Sequence, residues 1–342
     1  MRESLLGKTP SELKEAALKV GLPAFAGKQL ASWLYGHRVR SFEEMTNISK
    51  VGRERLAEEF DRGLVNYSSC QVSRDGTKKY LFPLGGGDAV EAVMIPDDER
   101  KTLCVSSQAG CRMGCKFCMT GRQGFHGDLT ASGILSQFIA IDESQELTNA
   151  VFMGMGEPLD NYDNVLRVIE VLTSDWGFGW SPKRITLSTI GVLPNLRRFL
   201  DETRCHLAVS LHNPFPEERA ALMPVQKAWP EEAVIDLLRE YDFTGQRRVS
   251  FEYTMFAGLN DTKRHADALI RLLKGLECRV NLIRFHKIPD APFETSPQLV
   301  MENFRDRLSN HGITCTIRAS RGEDIMAACG MLAGEHRKKS VT

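Results

Sequence analysis

The sequence predicts an α/β fold in which a parallel sheet of short strands is wound with intervening helices. From about residue 100, runs rich in Val, Ile and Leu alternate with stretches of helical period, which is the pattern of βαβ units. Glycine turns and polar residues fall just after several of these runs, where α/β folds place their chemistry. Residues 1–62 read instead as short helices, and 63–100 as a small antiparallel β region.

Taken in order, Thr9-Pro-Ser-Glu-Leu is a helix start, with Pro10 in the first turn and an acid following. Phe25, Leu30, Trp33, Leu34 and Tyr35 recur at helical spacing and are expected in the core. Between 64 and 95, Val72, Tyr80, Phe82, Val90, Val93 and Ile95 alternate with polar residues around turns at Asp75-Gly76 and 85–87. Parallel strands are expected at 103–106, 150–153, 184–188, 206–211, 249–254, 280–285 and 314–318. Helices are expected at 130–142, 161–174, 193–201, 231–241, 262–274 and 298–309. Short Val/Ile/Leu strands suit burial on both faces. A doubly wound open sheet and a full or partial barrel both fit this order. The chain divides into 1–62, 63–100, a core over 101–320 and a C-terminal segment over 321–342.

With 342 residues, 42% hydrophobic and 26% charged, the composition is that of a soluble globular chain. No stretch reaches the ~20 apolar residues of a membrane helix, and no signal peptide opens the sequence, so a cytoplasmic protein is expected. Nine cysteines fit a reducing compartment in which thiols serve metal binding or catalysis. Cys70, Cys205, Cys278 and Cys315 stand alone and read as packing. The net charge is zero, which neither selects nor excludes nucleic acid. Paired bases recur at Lys78-Lys79, Lys183-Arg184, Arg197-Arg198, Arg247-Arg248 and Lys263-Arg264, and in the C-terminal His336-Arg337-Lys338-Lys339.

The most specific feature is Cys-Arg-Met-Gly-Cys-Lys-Phe-Cys, which spaces Cys111, Cys115 and Cys118 as C-x3-C-x2-C. A 4Fe–4S cluster normally takes four cysteines. Three leave one iron open to chelate another molecule. The alternative is structural zinc, which needs four ligands, and only His126 lies nearby. Gly154, Gly156 and Glu157 form a glycine turn bearing a carboxylate suited to an ammonium or hydroxyl. Ser188 ends one strand, Ser210, Leu211 and His212 end another, and His286 ends a third. Cys104 precedes the three-cysteine run, and Cys329 sits among small residues in the C-terminal segment. Arg321 is a candidate positive charge to activate Cys329.

Together these motifs resemble the RlmN/Cfr family of radical S-adenosylmethionine (SAM) RNA methyltransferases, closest to the RlmN branch. The matching pieces are 90–96, 104–111, the three-cysteine run, 123–125, 154–159 and 321–330. Met331 stands where the family often has glutamine, and His286 where many members have asparagine. The resemblance implies a radical SAM partial (β/α)6 barrel with a small N-terminal helical accessory domain and a short β extension. It implies a 4Fe–4S cluster on Cys111, Cys115 and Cys118, and SAM contacts at Gly156, Glu157, Ser188, Ser210, Leu211, His212 and His286. The implied reaction methylates adenine C2 in 23S rRNA and, next to the anticodon, in tRNA, using two SAM per turnover. Cys329 would take a methyl group, a 5′-deoxyadenosyl radical would activate it, and a transient Cys104–Cys329 disulfide would release the product. Glu91, on its own an exposed strand carboxylate, becomes by resemblance the acceptor of the C2 proton. A monomer served by flavodoxin or ferredoxin as electron donor is expected. C8 methylation, as in the Cfr branch, is the nearest alternative. A non-catalytic iron–sulfur RNA-binding protein is the alternative from another class, but it has no use for Cys104 and Cys329.

Overall fold

A computed structural model describes residues 2–245 and 247–325. Cys329, Met331 and the basic run from His336 lie outside the described residues.

Ten strands form one sheet: β1 (Ser69–Val72), β2 (Lys78–Pro83), β3 (Ala89–Asp97), β4 (Arg100–Cys104), β5 (Asn149–Phe152), β6 (Ile185–Thr189), β7 (His206–Ser210), β8 (Val249–Met255), β9 (Arg279–Arg284) and β10 (Thr314–Ile317). Their spatial order follows their sequence order. β1 to β4 pair antiparallel, and β4 to β10 pair parallel. A doubly wound sheet would reverse its strand order at a switch point. This sheet never does, so the open-sheet alternative is excluded. The parallel strands are wound one way, and among the described residues β1 and β10 are the unpaired edges of a partial barrel.

Each parallel crossover carries at least one helix: α4 (Ala131–Ile139), α5 (Tyr162–Thr173), α6 (Leu193–Glu202), α7 (Pro216–Leu222) with α8 (Glu231–Leu238), α9 (Lys263–Leu272) and α10 (Gln298–Ser309). These helices cover the outer face. Burial of Ile134, Leu135, Phe138 and Ile139 on α4 is typical. Burial on both faces, as expected, holds for β7 and most of β8, but not for every strand. Along β6, Ile185, Leu187 and Thr189 are buried whereas Thr186 and Ser188 are half-buried. Thr186 and Ser188 share one face of that strand, and both are polar.

The N-terminal helices are α1 (Pro10–Lys19), α2 (Ala26–Ala31) and α3 (Lys50–Glu59). Thr9 and Glu12 cap α1 reciprocally, each side chain accepting from the other's backbone N–H. Leu30, Leu34 and Tyr35 are buried as expected, but Phe25 at the head of α2 is 63% exposed. Helical spacing assigns a residue to a face; it does not say that the face continues past the helix end. No helix among the described residues is long and apolar enough to cross a membrane.

Candidate functional site

The loop after β4 is closed by a short antiparallel ribbon, Gln108–Gly110 against Phe125–Asp128, and Cys111, Cys115 and Cys118 lie within the loop so formed. The Cys111 N–H donates to the Gly124 carbonyl at 2.8 Å. Gly110 has φ +70°, and a Cβ there would stand 1.9 Å from that carbonyl oxygen, so only glycine closes the loop. Gly156, at φ +98°, packs against Gln108, where a Cβ would come within 2.7 Å of the backbone nitrogen. The close approach anticipated for this glycine is therefore first an approach to the chain's own backbone. It seats the 154–159 turn on the exit of β4.

At the C-terminal ends of β5, β6 and β7 lies a cavity of about 150 Å³. Its walls include Cys111, Cys115, Cys118, Gly156, Glu157, Ser188, Ser210 and His212. Nine of the residues singled out in the sequence, Gly154 with these eight, thus meet at one place from four separate segments. Among the described residues no three His, Cys, Asp or Glu side chains converge at single-ion spacing. His126 is not turned toward them. Its Nδ1 lies 3.4 Å from Asp88, and its Nε2 lies 3.0 Å from the Gln123 carbonyl, which speaks against a closed zinc tetrahedron. Burial pushes the Cys111 thiol up to about 12 and raises Cys115 as well. Such thiols give up protons readily only to a bound metal. The sulfur-only donor set fits an iron–sulfur cluster.

Glu157 is fully buried beside them. Its Oε1 accepts from the Thr189 hydroxyl at 2.6 Å and the Leu159 N–H at 3.1 Å, and its Oε2 accepts from the Ile190 N–H at 3.0 Å. Burial raises its pKa to about 7 against the pull of these donors. His212 adopts a left-handed backbone, φ +59°, held by Asn260, whose Nδ2 donates to its carbonyl at 2.6 Å. Its Nδ1 accepts from the Thr254 N–H at 2.9 Å, so the neutral ring carries its proton on Nε2. Burial pushes its pKa down to about 3, which keeps the ring neutral. His212 is therefore a fixed hydrogen-bond donor at the cavity wall.

Other expected residues are placed differently. Leu211 is buried in the core, and its backbone N–H is taken by the Glu252 carbonyl at 3.1 Å. His286 is exposed beyond the end of β9 and does not line the cavity. Glu91 is not an exposed carboxylate: it is 1% exposed, and Oε2 lies 2.8 Å from Nζ of the equally buried Lys79. Cys104 is buried at the end of β4, in register with Val93 of β3, two residues from Glu91. The Ser106 hydroxyl donates to the Glu91 carbonyl and accepts from Met155 N–H, linking this edge to the 154–159 turn. The segment leading toward Cys329 is fastened to the β1–β2 turn. Gly322 N–H donates to Asp75, and Asp324 accepts from Ser73 and Arg74. Arg321 pairs with Asp97 at 2.7 Å, and the Cys329 it was expected to activate lies outside the described residues.

The paired bases are largely spoken for. Lys78 and Lys79 meet Glu143 and Glu91, Arg197 meets Glu240, Arg198 meets Asp163 and Glu202, and Arg264 meets Glu218. Arg247 is buried against the Leu200 carbonyl, leaving Lys183, Arg184, Arg248 and Lys263 exposed. Thr189, Asn260 and Lys79 are site-supporting residues that sequence reading passed over. Thr189 adjoins Ser188 and could have been noticed, whereas Asn260 is distant in sequence from everything it holds. A larger cleft of about 560 Å³ lies between α5 and α6. It holds none of the three-cysteine run and is lined by Glu170, Asp201 and Glu202, so volume is a poor guide here.

The radical SAM superfamily pattern matches residues 105–272, and that of the ribosomal RNA large subunit methyltransferase N-terminal domain matches 3–61. The probable dual-specificity RNA methyltransferase RlmN of Porphyromonas gingivalis W83 is 60% identical over 98% of each chain. This chain belongs to the RlmN family. The dual-specificity RNA methyltransferase RlmN of Syntrophus aciditrophicus is 41% identical, covering 95% of this chain and 94% of that one. Among solved structures, a radical SAM methyltransferase from Sphaerobacter thermophilus matches with a TM-score of 0.91 at 37% identity, over 96% of this chain and 98% of that one. RlmN-family membership accounts for both halves of the architecture, the small helical N-terminus and the wound barrel.

Proposed function

We propose that this protein is a radical SAM methyltransferase that methylates adenine C2 in 23S rRNA and in tRNA. The observation that carries the reading is the single cavity in which the Cys111–Cys118 loop, the Gly156-Glu157 turn and the ends of β6 and β7 meet, within a chain of the RlmN family. Cys111, Cys115 and Cys118 would hold the 4Fe–4S cluster. Glu157, Ser188, Ser210 and His212 would hold SAM, the carboxylate meeting its ammonium and the imidazole N–H donating. When bound, cluster and SAM supply the one-electron chemistry that takes hydrogen from a methyl group, which no side chain of the protein can do. Cys329 carries that methyl, Glu91 accepts the C2 proton, and Cys104 attacks the sulfur of Cys329 to release the RNA. A monomer supplied with electrons by flavodoxin or ferredoxin completes the reading. The test is SAM cleavage by the reduced, reconstituted chain, with methyl transfer to RNA. Iron uptake without SAM cleavage would favour a binding protein over an enzyme.

Because Glu157 ionises only as pH rises through about 7, SAM should bind more weakly below that pH, approaching tenfold per unit. Glu157→Gln should lower affinity about 10- to 100-fold and flatten the pH profile, the loss expected for one charged hydrogen bond. Equilibrium dialysis from pH 6 to 8 measures both, and a profile of equal slope in the two proteins would contradict the role.

RNA affinity should fall with salt through the exposed Lys183, Arg184, Arg248 and Lys263 rather than through the ion-paired bases. Replacing one phosphate-contacting base among the four should reduce the slope of log K against log salt by about 0.7. Arg197→Ala, whose guanidinium is held by Glu240, should leave the slope unchanged.

A further inference from the structure

Arg219, on α7, has one of the largest fully buried side chains of the protein, although it is charged. Its Nε donates to the Leu211 carbonyl at 2.9 Å, its Nη2 to the Ser210 carbonyl at 2.9 Å, and its Nη1 to Gln226 Oε1. Those two carbonyls belong to the end of β7, which delivers Ser210 and His212 to the cavity. The same helix is tied to the cysteine loop, where Lys116 N–H, next to Cys115, donates to the Leu222 carbonyl at 3.0 Å. Met223, immediately after the helix, lines the cavity. One buried guanidinium therefore stands between the cysteine loop and the β7 end.

Its counter-ion is incomplete. Glu231 Oε2 lies 2.9 Å from Arg219 Nε, yet neither Glu231 oxygen accepts a well-formed hydrogen bond. Burial pushes the Glu231 carboxyl up against the pull of Arg219. Arginine stays charged under these conditions, most of all with three acceptors on its fork. The two carbonyls it holds place this charge directly behind the Ser210–His212 wall of the cavity that the three cysteines share. A buried cation with a weakened partner is costly unless another negative group answers it. Three thiolates around a cluster are such a group.

We infer that Arg219 is the built-in counter-charge of the cluster and the positioning residue for the Ser210–His212 turn, coupling the cluster's reduction potential to the SAM-binding wall. Adding an electron to the cluster makes the site more negative, and a fixed cation nearby favours that state. The same guanidinium holds two carbonyls whose release would let the turn drift. This inference rests on the cluster assignment proposed above.

The test uses the full chain, anaerobically reconstituted, with three readouts: iron content, midpoint potential from a spectroscopic redox titration, and SAM dissociation constant. Arg219→Gln removes the charge. It should lower the reduced-to-oxidised ratio at a fixed potential about tenfold, a shift of about 59 mV to more negative values for one electron. Arg219→Lys keeps the charge but loses the two-carbonyl grip. Its potential should stay near that of the unmodified chain while SAM binds several-fold more weakly. Glu231→Gln leaves the guanidinium without an anion, so its potential should hold or move positive. If Arg219→Gln fails to take up iron, the Lys and Glu231 variants decide: a Glu231→Gln potential more negative than that of the unmodified chain overturns the inference. So does full iron in Arg219→Gln with an unmoved potential. Absence of iron from the unmodified chain would sink the cluster assignment itself, and this inference with it.

Discussion

Cys104→Ala should leave the protein covalently joined to its RNA, whereas Cys329→Ala should yield neither product nor adduct. The proposed chemistry uses the two thiols at different steps. Without Cys329 there is no methyl carrier, so nothing is attached to C2. Without Cys104 the carrier is loaded, activated and added to the base, but no thiol breaks the bond that tethers it. Cys104 is buried at the end of β4, one strand from Glu91 and near the strand exit that supports the glycine turn. Replacing it with alanine removes one sulfur atom from a strand end, with a stability cost on the order of 1 kcal/mol. That small loss cannot generate an adduct, and two merely structural cysteines would give two similarly weakened, adduct-free proteins. Denaturing electrophoresis with and without nuclease, followed by peptide mass analysis around Cys329, measures the difference. Equal turnover in Cys104→Ala and the unmodified chain would exclude the two-thiol mechanism.

Replacing any one of Cys111, Cys115 or Cys118 with alanine should abolish the visible absorbance of the reconstituted protein and all SAM cleavage. Each thiol is one of the three proposed ligands, and the run offers no fourth cysteine to substitute. Cys205→Ala is the control. That thiol is fully buried in the hydrophobic core, with its pKa pushed up to about 12 by burial, and is absent from the cavity walls. The control protein should keep full iron content. Iron analysis and absorbance spectra separate the cases, and full iron in a triple replacement of the run would contradict the assignment.

The parallel half of the fold was legible because each strand is a short apolar run bounded by turns and each helix carries its own period. What could not be read was curvature. Doubly wound sheets and barrels share the same local pattern, and only the unreversed strand order separates them. Cys111, Cys115, Cys118, Gly156 and Glu157 were legible because their chemistry is written in contiguous motifs. Arg219 was not, since on sequence it is one more charge on a helix with acids before it, and only tertiary packing buries it. Lys79 misled for the same reason: a Lys-Lys pair reads as a solvated face, yet strand alternation turns Lys79 inward to Glu91. His286 was assigned by analogy with neighbouring strand ends, but β9 stops at Arg284 and leaves it outside the cavity.

The most direct measurement is mass analysis of nucleosides from 23S rRNA and tRNA incubated with the reduced, reconstituted chain and SAM. The proposed function predicts 2-methyladenosine in both RNAs, absent when Cys111, Cys115 or Cys118 is replaced. Appearance of 8-methyladenosine instead, or of no methylated adenosine from a protein that holds its cluster and cleaves SAM, would contradict it.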